Sequence, residues 1–187
     1  LIVSAHHQAV AGVLDFMERE VVATRRGVAA GNGAVMQADV IGVAATAYDH
    51  WDSRLGDPQL HTHVVISNKV KTTEDGRWRS LDGTAMYEAN VPISEHYNAV
   101  LADRLTRLFG IEWEQRERGA ERNAAWELAP VPETLIREFS SRSSHIDREK
   151  ERLIAEYVEL TGRRPSSATI IQLRAQATLA TRPENVT

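Results

Sequence analysis

With 187 residues, 42% of them hydrophobic and 26% charged, the chain has the length and composition of one ordinary globular domain, or one and a half if its C-terminal part stands apart, which argues against a solenoid or a disordered tail. The absence of cysteine excludes disulfides, thiolate metal sites and cysteine nucleophiles, so a site must be built from nitrogen and oxygen ligands. A net charge of -4 does not announce a nucleic-acid binder in bulk, but phosphate binding depends on charges at the interface, and a local basic groove is compatible with it.

No apolar run approaches the roughly 18 residues needed to cross a bilayer. The opening LIVSAHH lacks the basic flank of a secretory signal, and Leu at position 1 reads as a piece of a longer protein. Over residues 5–24, Val10, Val13, Leu14, Met17 and Val21 follow the three-and-four spacing of one helical face. Gly27, Gly31 and Gly33 then mark a loop. Residues 35–50 read as one or two extended segments, although their alanines leave a helix open for part of the stretch. The run DSRLGDP is turn chemistry, and residues 59–71 alternate as a strand rich in Val, Ile and Thr. Glu74, Asp75 and Gly76 turn the chain into a short partner strand over residues 77–81.

The second half turns helical. Ser94 is expected to cap a helix whose core face includes Tyr97, Val100, Leu101, Leu105 and Leu108 and which ends at Gly110. Residues 111–117 and 125–128 suit a second small hairpin, with RERGAER between them as an exposed loop. Three helices are expected over residues 132–141, 144–161 and 166–180, the last started by Pro165, Ser166 and Ser167. The tail ATRPENVT reads as a linker.

Three of the seven histidines fall within fourteen positions, in HWDSRLGDPQLHTH. Residues two apart on a strand share a face, so His61 and His63 aim side by side, with Leu60, Thr62 and Val64 turned to the core. His50 ends the preceding extended segment, and the turn is long enough to bring it back beside the pair. Three neutral imidazoles with open positions are what a catalytic divalent metal requires. An isolated H-x-H also arises from two polar residues on a solvated strand face. His6, His7, His96 and His145 fall on expected helices and read as surface or partly buried residues.

The words of this segment carry more than their spacing. His50, Ser53, Arg54, the run from Asp57 to His63 and Asn68 closely resemble the histidine-triad segment of conjugative relaxases of the TrwC/TraI (MobF) type, members of the HUH endonuclease superfamily. The resemblance continues through GRWRSLD and SEHYNAVLADRLTRLFGIEW, then more loosely to LRAQATLATRP, and the WDSR form looks most like relaxases of actinobacterial elements. It implies an α+β fold: a two-layer α/β sandwich whose antiparallel sheet carries the triad, over residues 1–130, followed by a helical segment over residues 131–187 that covers a DNA cleft and leads to a linker. It further implies that His50, His61 and His63 hold magnesium, manganese or another transition metal. That ion would grip the scissile phosphate while a tyrosine attacks, leaving a 5′-phosphotyrosine and a free 3′-OH.

In the family that tyrosine lies on the first strand, which the resemblance places upstream of Leu1, so the piece in hand is expected to bind metal better than it cuts. Tyr48, two residues from His50, is the only local substitute, and Tyr97 reads as core packing. Arg54 is a candidate phosphate contact, with a surface ion pair to Asp52 or Asp57 as the alternative. Gln59 and Asp57 are candidate hydrogen-bonding supports for the ligands. Lys69, Lys71, Arg77, Arg79, Arg163, Arg164 and Arg174 are candidate DNA contacts. Trp78 is a candidate base-stacking residue, with packing against the helices as the favoured reading.

The implied partner is single-stranded origin DNA with a hairpin, along with relaxosome and type IV coupling proteins. The implied setting is the bacterial cytoplasm, without membrane insertion. Two other readings compete: a three-histidine hydrolase or oxygenase, which as a cupin-like barrel would need many more strands, and a non-catalytic DNA- or partner-binding module.

Overall fold

The structure, a computed structural model, describes residues 1–27, 35–118 and 123–183. Gly31 and Gly33, part of RERGAER and the end of ATRPENVT lie outside the described residues. In chain order the elements are α1 (Ile2–Glu20), β1 (Ala23–Gly27), β2 (Val35–Ile41), β3 (Ala45–Asp52), β4 (Pro58–Ile66), β5 (Val70–Thr72) and β6 (Trp78–Arg79). They continue with α2 (Gly83–Glu88), α3 (Asn90–Phe109), β7 (Trp113–Arg116), β8 (Ala125–Leu128), α4 (Glu133–Glu138), α5 (Ser141–Thr161) and α6 (Ser167–Ala180). The chain packs as two compact units: Leu1–His50 with His61–Gly110, and Trp51–Leu60 with the residues from Ile111 onward.

The first unit has the expected build of helices packed on antiparallel strands. Strands β1, β2, β5 and β6 form a four-stranded sheet in the order β1-β2-β5-β6, antiparallel throughout, and β3 pairs with β4. Helix α1 packs along α3, and its stripe meets the sheet at a core of Met17, Val22 and Val70. Val13, Leu14, Val40, Val43, Ile66, Leu81, Met86 and Ile93 close around that core. Val40, Ile66 and Val70 come from three different strands, so within this unit the helices pack on one face of β2, β4 and β5.

In the second unit, β7 and β8 pair from Trp113 opposite Leu128 to Arg116 opposite Ala125. Ile146 and Leu153 of α5 pack on Leu173 and Ala177 of α6. Ser166 caps α6 by accepting the Thr169 N–H. Gly110 and Gly162, at φ 63° and 67°, end α3 and α5 in the left-handed conformation that a side chain would strain.

Several elements differ from the sequence reading. α1 ends at Glu20, and residues 23–27 form a strand instead of the end of a helix and a loop. ATRRG has no strand pattern of its own; its pairing with β2 and a Thr24 hydroxyl bond to the Ser80 carbonyl hold it extended. The single strand expected over residues 59–71 is broken between Ile66 and Val70. There the Ser67 N–H bonds the Ala44 carbonyl, and Val70 turns into the core between β2 and β6. Asp82 caps the extra helix α2 through the Thr84 N–H, so α3 starts before Ser94, whose hydroxyl donates to the Asn90 carbonyl. Leu108, expected in the core, is 48% exposed. No helix among the described residues is long and apolar enough to cross a membrane.

Candidate metal centre

The site is built by strand parity. β3 and β4 are joined by a tight turn in which the Ser53 N–H bonds the Asp57 carbonyl, and so short a connection joins antiparallel neighbours. Along β4, Ile66 enters the core and Thr62 bonds His6 of α1, which turns His61 and His63 to the opposite face of the strand. His50 of β3 meets them there. Its ring centroid lies 5.2 Å from that of His61 and 4.8 Å from that of His63, and the His61 and His63 centroids are 5.1 Å apart.

One nitrogen from each ring lies within 4.8 Å of the others; His61 is half-buried, while His50 and His63 are exposed. Three imidazole nitrogens about 2.1 Å from one ion stand roughly 3.0 to 3.4 Å from each other, so small ring rotations close this set on an ion. All three donors are nitrogens, and the exposed side is open to a further ligand from solvent. A divalent cation with vacant positions fits these residues.

Behind the ligands runs a hydrogen-bond chain. The Thr62 hydroxyl donates to Asp49 Oδ1 at 2.7 Å and lies 2.7 Å from His6 Nε2. His6 Nδ1 lies 2.7 Å from the Tyr97 hydroxyl, and His7 Nε2 is 2.8 Å from Asp49 Oδ2. Burial, with His7 as a smaller cause, holds the His6 pKa below its ordinary value. The Thr62 hydroxyl is the main cause that keeps the Asp49 carboxyl below the usual carboxylate range, and burial raises the Tyr97 phenol. Sequence reasoning missed this chain. One signal was available: His6 stands four residues before Val10 and seven before Val13, on the apolar stripe.

The other expected site residues are more dispersed. Lys69, Lys71 and Arg77 are exposed in unit one, and Arg54 and Gln59 are exposed in the stretch counted with unit two. Arg79 is held within its hairpin: its guanidinium forks onto Asp75 at 2.8 and 2.7 Å and also donates to Thr72. That fork drives the Asp75 carboxyl far below the usual carboxylate range. Arg174 donates to Asp147 at 2.7 Å, tying α6 to α5. Asp57 is buried at the start of α5, accepting from the Ser141 hydroxyl at 2.8 Å and the Ser53 hydroxyl at 3.2 Å. The Ser141 hydroxyl is the largest cause that lowers the Asp57 pKa, aided by the backbone N–H groups of Ser141 and Arg142.

Trp78 does not pack against the helices as expected; it is 64% exposed. It stands opposite Lys71, which stands opposite Ile41, so the three form a row across β6, β5 and β2. Val70 and Thr72, flanking Lys71, are buried, so the row and the histidines alike lie on the side of their strands turned away from the core.

The family described as TrwC relaxase matches residues 1–187. The multifunctional conjugation protein TraI of Escherichia coli is 33% identical over 156 residues, 78% of this chain but 8% of TraI; in strain K12 the figures are 28% over 153 residues, 78% and 8%. The chain thus spans about a twelfth of the length of these relatives. Among solved structures, the conjugative relaxase TrwC in complex with oriT DNA, in its metal-bound form, superposes with a TM-score of 0.72 at 28% identity, over 99% of this chain and 57% of that one. TrwC with a 27-mer DNA comprising the recognition hairpin and the cleavage site gives 0.71 at 28% identity, over 98% and 59%.

Proposed function

Since this chain belongs to the TrwC relaxase family, we infer that it forms the metal-holding core of a conjugative DNA relaxase, which nicks one strand at an origin of transfer by tyrosine transesterification. The observation that carries this reading is the gathering of His50, His61 and His63 on the face of β3 and β4 turned away from the core. A bound divalent ion, magnesium or manganese, would supply Lewis-acid stabilisation of charge on the scissile phosphate. The chain's own contribution is to hold three neutral imidazoles on two paired strands, with open space on the exposed side for a phosphate oxygen.

Tyr97 bonds His6 on the helix side, away from the ligands, and we assign the nucleophile to a tyrosine outside residues 1–187, where the family resemblance puts it. Its oxygen would form the bond to phosphorus as the 3′ oxygen leaves, which conserves the phosphodiester energy for rejoining.

The DNA is proposed to be single-stranded origin DNA with a hairpin; the DNA in one of the similar TrwC complexes comprises a recognition hairpin and the cleavage site. Lys71 and Arg77 offer exposed charge to its phosphates and Trp78 a face for a base, while Lys69 and Arg54 extend the basic surface. Arg79 and Arg174 already pair with Asp75 and Asp147, and any contact with phosphate is proposed to come from their remaining N–H groups. Asp57 acts at the start of α5, and Gln59 remains a candidate support for the ligand strand. The proposal extends to residues 131–187 as the helical cover over bound DNA, and to relaxosome and type IV coupling proteins as partners in the bacterial cytoplasm.

The test joins this chain to the N-terminal tyrosine strand of a TrwC relaxase and adds manganese and single-stranded DNA carrying that relaxase's hairpin and nick site. A covalent adduct on a denaturing gel, lost with His61→Ala plus His63→Ala, is the expected result. DNA binding without an adduct would make the domain a non-catalytic binding module, and an adduct that survives the double substitution would remove the triad from the reaction.

A further inference from the structure

We propose that Thr62 is the positioning residue of the metal centre: its hydroxyl, gripped between His6 of α1 and Asp49 of β3, fixes β3 against β4 in the register that gathers His50, His61 and His63. The inference deepens the metal-centre reading and rests on it. Its basis is a juxtaposition that coordination alone does not require. Thr62 lies between two ligands and Asp49 immediately precedes the third, and these two neighbours are bonded to each other across the strand pair at 2.7 Å. Side chains alternate on strands, so a bond between the inward residues sets how the outward ones meet. A slip of one residue would turn the ligands of one strand to the wrong face.

The grip extends into the helix layer. Consecutive residues of α1 seat one on each strand: His6 on Thr62 of β4, and His7 on Asp49 of β3. The proton directions are mutually determined. Thr62 has one hydroxyl proton and gives it to Asp49, so His6 Nε2–H donates to Thr62. His6 Nδ1 then carries a lone pair and accepts the Tyr97 O–H. His6 is 5% exposed, and burial favours the neutral imidazole that this pattern needs. Every polar atom of the buried ring is thereby satisfied, and removing the Thr62 hydroxyl would leave the Nε2–H without its acceptor.

The test uses the 187-residue chain, with manganese as the probe, in calorimetric titration. Thr62→Val keeps the β-branched shape and deletes the hydroxyl; Thr62→Ser restores it. The valine variant is expected to bind manganese about tenfold or more weakly, the loss typical when a group that orients metal ligands is removed. The serine variant is expected to stay within about threefold of the parent, the size of one weakened neutral hydrogen bond. Amide hydrogen exchange in the metal-free chain is the second readout: the β3 and β4 amides lose protection in Thr62→Val, while those of α5 and α6 keep it.

A folded Thr62→Val variant with parental manganese affinity overturns the proposal, as does unchanged exchange on β3 and β4 whether or not metal binds. A parent chain that takes up no manganese, with exchange that still loosens in Thr62→Val, would sink the metal reading and leave the strand clamp standing. Where Thr62→Val does not fold, Tyr97→Phe takes its place, since it removes only the proton donor to His6. A loss of about threefold in affinity is expected there, and no loss in affinity or exchange overturns the clamp.

Discussion

A metal ion held by His50, His61 and His63 links β3 to β4, so its binding must appear as folding stability. His50 lies on one strand and His61 and His63 on the other, with donors that approach each other only in the folded chain. At a manganese concentration of about 100 times Kd, linkage supplies about 2.7 kcal/mol. For a chain of this size each kcal/mol moves Tm by about 2 to 4 °C, so the unit that holds the triad is expected to melt about 5 to 11 °C higher. His50→Ala separates this from intrinsic stability. The His50 side chain is exposed, and exposed substitutions cost within about 0.5 kcal/mol, so the metal-free Tm should move by about 2 °C at most. The assay is a thermal melt followed by circular dichroism with and without manganese, for the parent and for His50→Ala. A shift of equal size in the variant would refute the three-histidine site, and no shift in the parent at any manganese concentration would refute metal binding by the chain.

Val70 is fully buried between Met17 and Val22, and Val70→Ala deletes two methyl groups from that core; the expected loss is about 2 to 3 kcal/mol in urea unfolding, and a loss below about 1 kcal/mol would mean the site collapses. Asp82 is held down at about 2, first by the Arg25 side-chain bond and then by the Thr84 N–H, against the opposing effect of burial. A depressed carboxyl stabilises the fold above the unfolded value near 4, and that contribution is lost as pH falls through about 2. Asp82→Asn should therefore flatten the fall in stability between about pH 4 and 2 in acid titration by circular dichroism, and an unchanged slope would contradict the pairing. Trp78→Ala should weaken single-stranded DNA binding by about 5- to 150-fold in fluorescence anisotropy while leaving manganese affinity unchanged, and equal DNA affinity would remove Trp78 from the interface.

The triad was legible because its information is local: two histidines at strand spacing need no tertiary knowledge to share a face, and the turn that returns His50 has its own chemistry in Ser53, Gly56 and Asp57. The same holds for α6, started by Ser166, and for the β7–β8 hairpin. What failed depends on partners distant in sequence. β1 is a strand because β2 pairs with it and Ser80 accepts from Thr24, neither of which ATRRG announces. The fork of Arg79 onto Asp75 went unread although Asp75 is only four residues away, because it depends on how tightly the turn closes. Trp78 was misplaced for a related reason: on a two-residue strand the partner sets the face, and Lys71 opposite it points away from the buried Val70 and Thr72.

The residues between and beside the ligands are therefore as constrained as the ligands, for a different reason. On the outward face chemistry requires three nitrogens within reach of one ion, and on the inward face geometry requires that the strands carrying them cannot slide. A strand pair of this length has no buried apolar ladder of its own to set its register: every residue of β3 is exposed, and the inward side of β4 is only half-buried. Hydrophobic patterning leaves the register of β3 weakly specified, and polar bonds with fixed directions supply the specification instead. The Thr62 hydroxyl, with one proton to give and one lone pair engaged, permits one arrangement of Asp49 and His6 around it. Replacing it with an apolar residue of the same shape would leave the buried His6 Nε2–H without an acceptor, so the order of the strand pair and the affinity of the site should fall together.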